Sequence, residues 1–161
     1  MCIRDRDNGR AGSRCYDTKS QRVVSQFQAS FGGNAVYRDR VAVLSDGFTK
    51  TSISVYDLNT GDLIRKQEFE DDREVKGNTR IGLGAHDLYL LEEGLGLYHM
   101  DLESEAWSQL TSDGKPLFQD AERPNVPSGL RVGPQGELYY EIDGEGIKKL
   151  TFTPVSYTHL T

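Results

Sequence analysis

The chain has 161 residues, enough for one domain of ordinary size, with 36% hydrophobic residues and a formal net charge of −6. That acidity argues against broad binding of nucleic acid or anionic membranes, both of which need a basic surface. No apolar run approaches the roughly 20 residues of a membrane span, and 17 Gly against 5 Pro point to many glycine-based turns.

The first segment, "MCIRDR" (1–6), has no apolar core and is no signal peptide. With suitable codons, the opposite strand of Met1 through Asp5 reads as Val155 through His159, and AGG for Arg6 returns Pro154 as CCT. Both ends therefore resemble translated sequencing-adapter DNA, and 1–6 and 154–161 are set aside from fold reasoning. The natural part is then expected close to 7–153, as a piece of a longer protein. It carries 19 − 2 = 17 Lys+Arg against 25 − 1 = 24 Asp+Glu, a charge of −7. Cys15 is its one cysteine, so no intrachain disulfide is expected.

Further along, apolar runs and alternation predict strands in sets. "RVAVLS" (40–45), "TSISVYDL" (51–58) and "LIRKQEF" (63–69) form the first. "DLYLLEE" (87–93), "GLYHMDL" (96–102) and "AWSQLT" (106–111) form the second, and "GLRVG" (129–133), "ELYYEI" (137–142) and "GIKKLTFT" (146–153) the third. Residues 68–78 and 112–128 read as polar connectors, the latter with a short helical turn around Asp120. No window sustains the apolar period of a helix.

These sets repeat. "CYDTKSQRVV", "VYDLNTGDLI" and "HMDLESEAWS" align on Asp17, Asp57 and Asp101, with spacings of 57 − 17 = 40 and 101 − 57 = 44. "HDLYLLEEGLGLYHM" lies over "GELYYEIDGEGIKKL" without a gap at an offset of 136 − 86 = 50, matching Gly94 to Gly144 and Gly96 to Gly146. Short strands at such periods are the signature of propeller blades. The expected fold is all-β: an incomplete β-propeller, an open arc of about three blades of antiparallel strands. A blade tail is placed at 7–30, blades at 31–73 and 74–120, and a partial blade at 121–153. Blades bury their faces against neighbours, so a cut ring is expected to leave apolar faces bare.

Candidate chemistry is sparse. In "YDLNTGDL", Asp57 is expected to accept backbone N–H bonds in an Asx-turn, and Gly61 to supply the positive φ that closes the hairpin with a bulge. Asp17 and Asp101 repeat the turn with Gln21 and Glu105 where Gly61 stands, so those turns must differ or tolerate a strained residue. Gly96 and Gly146 are the matching turn glycines of the second repeat. Asp57, Asn59 and Asp62 do not keep the alternation of a calcium loop. The acidic run Glu68, Glu70, Asp71, Asp72 and Glu74 is diluted by Arg73 and Lys76 and reads as a solvated loop. His86 is placed in a turn and His99 in a strand, with no partner at zinc spacing. Cys15 has no base beside it. "GLGLY" and "DGEGI" open no helix, so neither is a phosphate cradle. No catalytic, cofactor-binding or metal-binding residue is assigned, and no cofactor is expected.

"SVYDLNTGDLIRK" resembles the outer hairpin of WD40-like and quinoprotein-like propeller repeats. "GLYHMDLESEAWSQLTSDG" and "GPQGELYYEIDGEGIKKLT" are similar to TolB-type repeats, including those preceding prolyl-oligopeptidase-like catalytic domains. "GELYYEIDGEGI" also resembles repeats of sensor propellers in bacterial two-component regulators. The WD ending, the quinoprotein tryptophan pattern and the sialidase Asp-box are absent, so a quinone-dependent dehydrogenase or a sialidase is not supported. The resemblance implies a non-catalytic scaffold, binding a protein or small ligand through inter-blade loops at 70–79 and 112–127. Its alternatives are an accessory propeller of a TolB-like hydrolase or a sensor domain. It also implies a bacterial, extracytoplasmic setting.

Overall fold

The computed structural model describes residues 2–7, 10–16, 19–20, 22–28, 34–46, 51–68, 79–119, 121 and 125–150, and the described residues are strands and turns with no helix. Among the described residues sixteen strands form antiparallel sheets of neighbours in sequence. Strands β1 (Cys2–Asp7), β2 (Arg10–Tyr16) and β3 (Val23–Gln28) make the first, in that order. The segment set aside as adapter-like thus forms a strand, with Cys2 opposite Cys15. Ladder bonds use only backbone groups, so pairing makes little demand on its side chains.

Two four-stranded sheets follow. β4 (Asn34–Tyr37), β5 (Arg40–Asp46), β6 (Thr51–Asp57) and β7 (Leu63–Glu68) form one. β8 (Arg80–Leu83), β9 (Asp87–Glu92), β10 (Gly96–Asp101) and β11 (Trp107–Gln109) form the next. A small hairpin, β12 (Thr111–Ser112) with β13 (Lys115–Pro116), occupies part of the stretch read from sequence as connector. The expected strand at 106–111 is met by β11 and the start of β12, and Leu110 between them still donates its N–H to Leu97 O of β10 at 2.8 Å. Asp120, the centre of the expected helical turn, lies outside the described residues. The last sheet is β14 (Gly129–Val132), β15 (Leu138–Ile142) and β16 (Gly146–Leu150).

Alternation along the central strands builds two cores between sheets. On β9, Leu88 and Leu90 point back to Ala42 and Leu44 of β5 and Ile53 and Val55 of β6. Tyr89 and Leu91, on the opposite face, pack with Leu97, Leu130 and Leu138. One strand therefore serves both neighbours, which is why "DLYLLE" is apolar throughout rather than alternating. Leu88, Leu97 and Leu138 are fully buried, each contributing about 1.5–3 kcal/mol by leaving water. Arg65 Nη1 on β7 pairs with Glu105 Oε1 at 2.9 Å and clips the two four-stranded sheets together at the outside.

Sheets stacked this way, with β8–β11 burying one face on the sheet before it and the other on the sheet after it, make an open arc of propeller blades. Apolar side chains do stand bare, most of all Ile147 on β16, 74% exposed.

Candidate functional site

The first strands of three successive blades, β4, β8 and β14, pack side by side and form the inner, axial wall of the arc. Two glycines permit their approach. A Cβ on Gly84 would come within 2.9 Å of Val132 Cγ1, and one on Gly82 within 3.3 Å of Leu130 Cβ. Asn34, Ala35 and Val36 of β4, Leu83 of β8, and Leu130, Arg131 and Val132 of β14 enclose a cavity of about 180 Å³ on this wall. Val36 is half exposed, although apolar.

Arginines stand on or beside the same strands. Arg38, in a left-handed conformation at the end of β4, lies 5.3 Å above the Tyr37 ring, within cation–π range. Tyr37 Oη reaches Pro134 O at 3.5 Å, two blades on. Arg40 Nη1 donates to Ala85 O at 3.1 Å. Arg80 Nε donates to Ser128 O at 2.8 Å and its Nη1 to Thr79 O at 3.2 Å. Arg131 Nη1 donates to Leu130 O at 2.8 Å. Arg40 and Arg80 thereby tie each blade to the next through carbonyl oxygens. Among the described residues none of the four arginines has a carboxylate partner, whereas Arg65–Glu105, Lys66–Glu68 and Lys148–Glu145 are paired farther from the axis.

The repeat aspartates lie away from this wall, at the β6–β7 and β10–β11 turns. Asp57 Oδ1 accepts from Asn59 N at 2.7 Å and Thr60 N at 3.0 Å, while Gly61, with φ of 79°, donates its N–H to Asp57 O at 2.9 Å. The register slips between Val55 and Tyr56, leaving one extra residue on β7. Asp101 Oδ1 accepts from Glu103 N at 3.0 Å, Ser104 N at 2.7 Å and Ser104 Oγ at 2.9 Å. Glu105 takes the place of Gly61 in the same left-handed conformation, φ 59°, so this copy keeps the geometry and carries the strain. The hydrogen bonds from Ser104 hold the Asp101 carboxyl below the usual carboxylate range. Asp17 and Gln21 lie outside the described residues. Gly96 and Gly146 have φ of 104° and 82° at the starts of β10 and β16. Their segments turn directly into strands with no helix behind them.

His99 Nε2 donates to Asp87 Oδ1 at 2.7 Å, which fixes the protonated ring nitrogen. The Tyr89 ring lies 5.1 Å from the His99 ring, and burial, followed by the Asp87 charge, pushes the Tyr89 hydroxyl up to about 12. His86 Nδ1 faces Glu103 Oε1 at 3.3 Å on the surface. Of the acidic run, only Glu68 is described, bound by Lys66 Nζ at 2.6 Å; Glu70, Asp71, Asp72 and Glu74 lie outside, as does most of the loop at 70–79. Cys15 is described only as backbone in β2. Among the described residues no group of three or more His, Cys, Asp or Glu could hold a metal ion, and no helix is long and apolar enough to cross a membrane. The axial wall and its arginines were not singled out from sequence. The signal available was "IGLG", where alternate glycines mark a strand approached closely by another backbone.

No family model matches the chain, and no curated protein matches its sequence. Its fold does match solved structures. TolB from Acinetobacter baumannii superposes with a TM-score of 0.56 at 14% identity, over 92% of this chain and 36% of that one. BamB from Moraxella catarrhalis superposes at 0.51 and 11% identity, over 87% and 36%. An uncharacterized protein from Listeria monocytogenes superposes at 0.53 and 9%, over 92% and 49%. The chain thus spans between about a third and half of the length of these proteins. At such identities the likeness concerns the fold, and it is that of a β-propeller repeat protein, here as an incomplete ring.

Proposed function

We propose that this chain is a non-catalytic scaffold, part of a propeller that binds a small ligand or a protein partner on its axial wall. The observation that carries the reading is the cavity where β4, β8 and β14 meet, with Arg131 in its lining. Concave sites formed where several elements meet are where ligands dock. Asp57, Asp101 and the His99–Asp87 pair are occupied by bonds within their own blade, as structural groups are. An extracytoplasmic setting accords with the resemblance to TolB-type repeats.

The test maps ligand-induced amide NMR shifts from a library of small polar fragments, beside hydrolysis assays with peptide and glycoside substrates. Shifts gathered on β4, β8 and β14 without turnover are expected. Shifts gathered on β7 and β11, or turnover by the purified protein, would overturn the proposal.

A further inference from the structure

The last sheet buries one face and leaves the other open. Leu130 and Val132 of β14, Leu138 and Tyr140 of β15 and Leu150 of β16 pack back toward β9. The alternate residues Arg131, Tyr139, Glu141, Ile147 and Lys149 therefore stand on the opposite face. All but Tyr139 are exposed. Strand registers match this face, position by position, with the face that the preceding sheet turns toward β14–β16. Gly82 lies opposite Tyr89 and Tyr89 opposite His99, as Arg131 lies opposite Tyr139 and Tyr139 opposite Lys149. One row on, the pair Leu91–Leu97 corresponds to Glu141–Ile147. At these places the preceding sheet offers a glycine that Leu130 approaches and two fully buried leucines. The last sheet offers a guanidinium, a carboxylate and an exposed isoleucine. Another sheet packed in the same way would have to seat its inner strand on Arg131 and bury the Glu141 carboxylate, which is costly without a partner. The open face is built for a polar neighbour.

Its charges complement themselves. Among the described residues neither Arg131 nor the Glu141 carboxylate has a charged partner, while Lys149 has Glu137 nearby. Consider a second copy turned over by a two-fold axis that runs across the strands, between the two rows. β15 then faces its own copy with the rows exchanged. Each Glu141 comes over Tyr139 of the other copy, with Arg131 and Lys149 one strand spacing, about 4.8 Å, to either side. Gly129, opposite Glu141 on β14, leaves room for the facing arginine, and the lysine stem covers Ile147. An axis along the strands would instead set Glu141 on Glu141, so the charges select one arrangement. We infer that the open face of the last sheet is a two-fold contact between copies of this chain, in which Glu141 of each is held by Tyr139, Arg131 and Lys149 of the other. The patch is small beside the roughly 20–30 residues a side of a standard interface. The pair is therefore weak and reversible, and forms only well above micromolar concentrations. It does not depend on a ligand at the axial wall.

Sedimentation velocity and amide NMR shifts, followed under reducing conditions from about ten micromolar to about one millimolar, read the association. The unaltered protein is expected to move toward a dimer, with concentration-dependent shifts gathered on Arg131, Tyr139, Glu141 and Ile147. Added salt should weaken it. Glu141→Arg and Arg131→Glu should each weaken self-association at least about tenfold, because each removes the charge-assisted contact twice per pair. An equimolar mixture of the two variants should associate again, since Arg at 141 of one then meets Glu at 131 of the other. A structural role for either residue within its own chain would not produce that rescue. A monomer throughout the concentration range would overturn the inference. So would association that Glu141→Arg leaves unchanged, shifts gathered on other strands, or a mixture no better than the variants alone. Unchanged dispersion of the amide spectra shows that both variants keep the fold, so their loss of association belongs to the contact.

Discussion

Gly96 and Gly146 occupy the same place in two repeats, yet alanine should cost very different amounts there. Both have positive φ, 104° and 82°, and forcing an L-residue into that region costs about 1–2 kcal/mol. A Cβ on Gly146 meets nothing within 4 Å, so strain is the whole expected loss. A Cβ on Gly96 would lie 2.9 Å from Leu117 O and 3.2 Å from Pro116 Cβ. That oxygen accepts the N–H of Leu97 at 2.9 Å, so moving it also weakens a buried hydrogen bond worth about 1 kcal/mol. With the added overpacking, Gly96→Ala should lose about 3 kcal/mol or more. Urea unfolding, followed by far-UV circular dichroism and by the emission of Trp107, the single tryptophan, measures both. Equal losses would refute the reasoning, because they would mean that the β12–β13 hairpin does not pack on the β9–β10 turn.

Other perturbations probe other parts. Leu88→Ala empties a fully buried position between two blades and should cost about 2–5 kcal/mol, whereas Ile147→Ser, at a site 74% exposed, should stay within about 0.5 kcal/mol by the same urea assay. Asp101 has a folded pKa held down by Ser104, so its stabilising effect is full above the unfolded pKa and lost as pH falls through the folded one. The urea midpoint should therefore drop on acidification below about pH 4, and less so in Asp101→Asn. Tyr89 is shifted the opposite way, up to about 12 from 10.0. Its stabilising effect is intact below the unfolded value and lost as pH rises toward the folded one. Absorbance at the phenolate band should show one tyrosine fewer ionising near pH 10 than in the unfolded chain, and Tyr89→Phe should abolish that difference.

The central strands of each blade were legible in the sequence because both their faces are buried. "RVAVLS", "TSISVYDL" and "DLYLLEE" announce themselves as apolar runs between turns. The Asp57 turn was legible too, since Asx geometry is local and needs only the next few residues. Two of the three inner strands were not. β4 is only four residues long with one buried side chain, and β8 carries Gly82, which reads as punctuation. That glycine is instead the place where Leu130 and Val132 approach from the next blade. The candidate site needs those two strands beside β14, so it stayed hidden with them. Arg131 lies within a stretch read as a strand, but its lack of an acidic partner depends on three blades meeting, a relation between residues about 50 to 100 apart.

The most direct test of the account is whether β8 and β14 lie side by side at the axis. Nuclear Overhauser spectra of the methyl-labelled protein measure it. The account predicts strong cross-peaks from the Val132 methyls to the Gly84 and Gly82 α-protons, and from the Leu130 side chain to Gly82, as the 2.9–3.6 Å approaches at those glycines require. Absence of these cross-peaks in a folded protein, with β8 and β14 each showing contacts only within its own sheet, would contradict the axial wall and the function built on it.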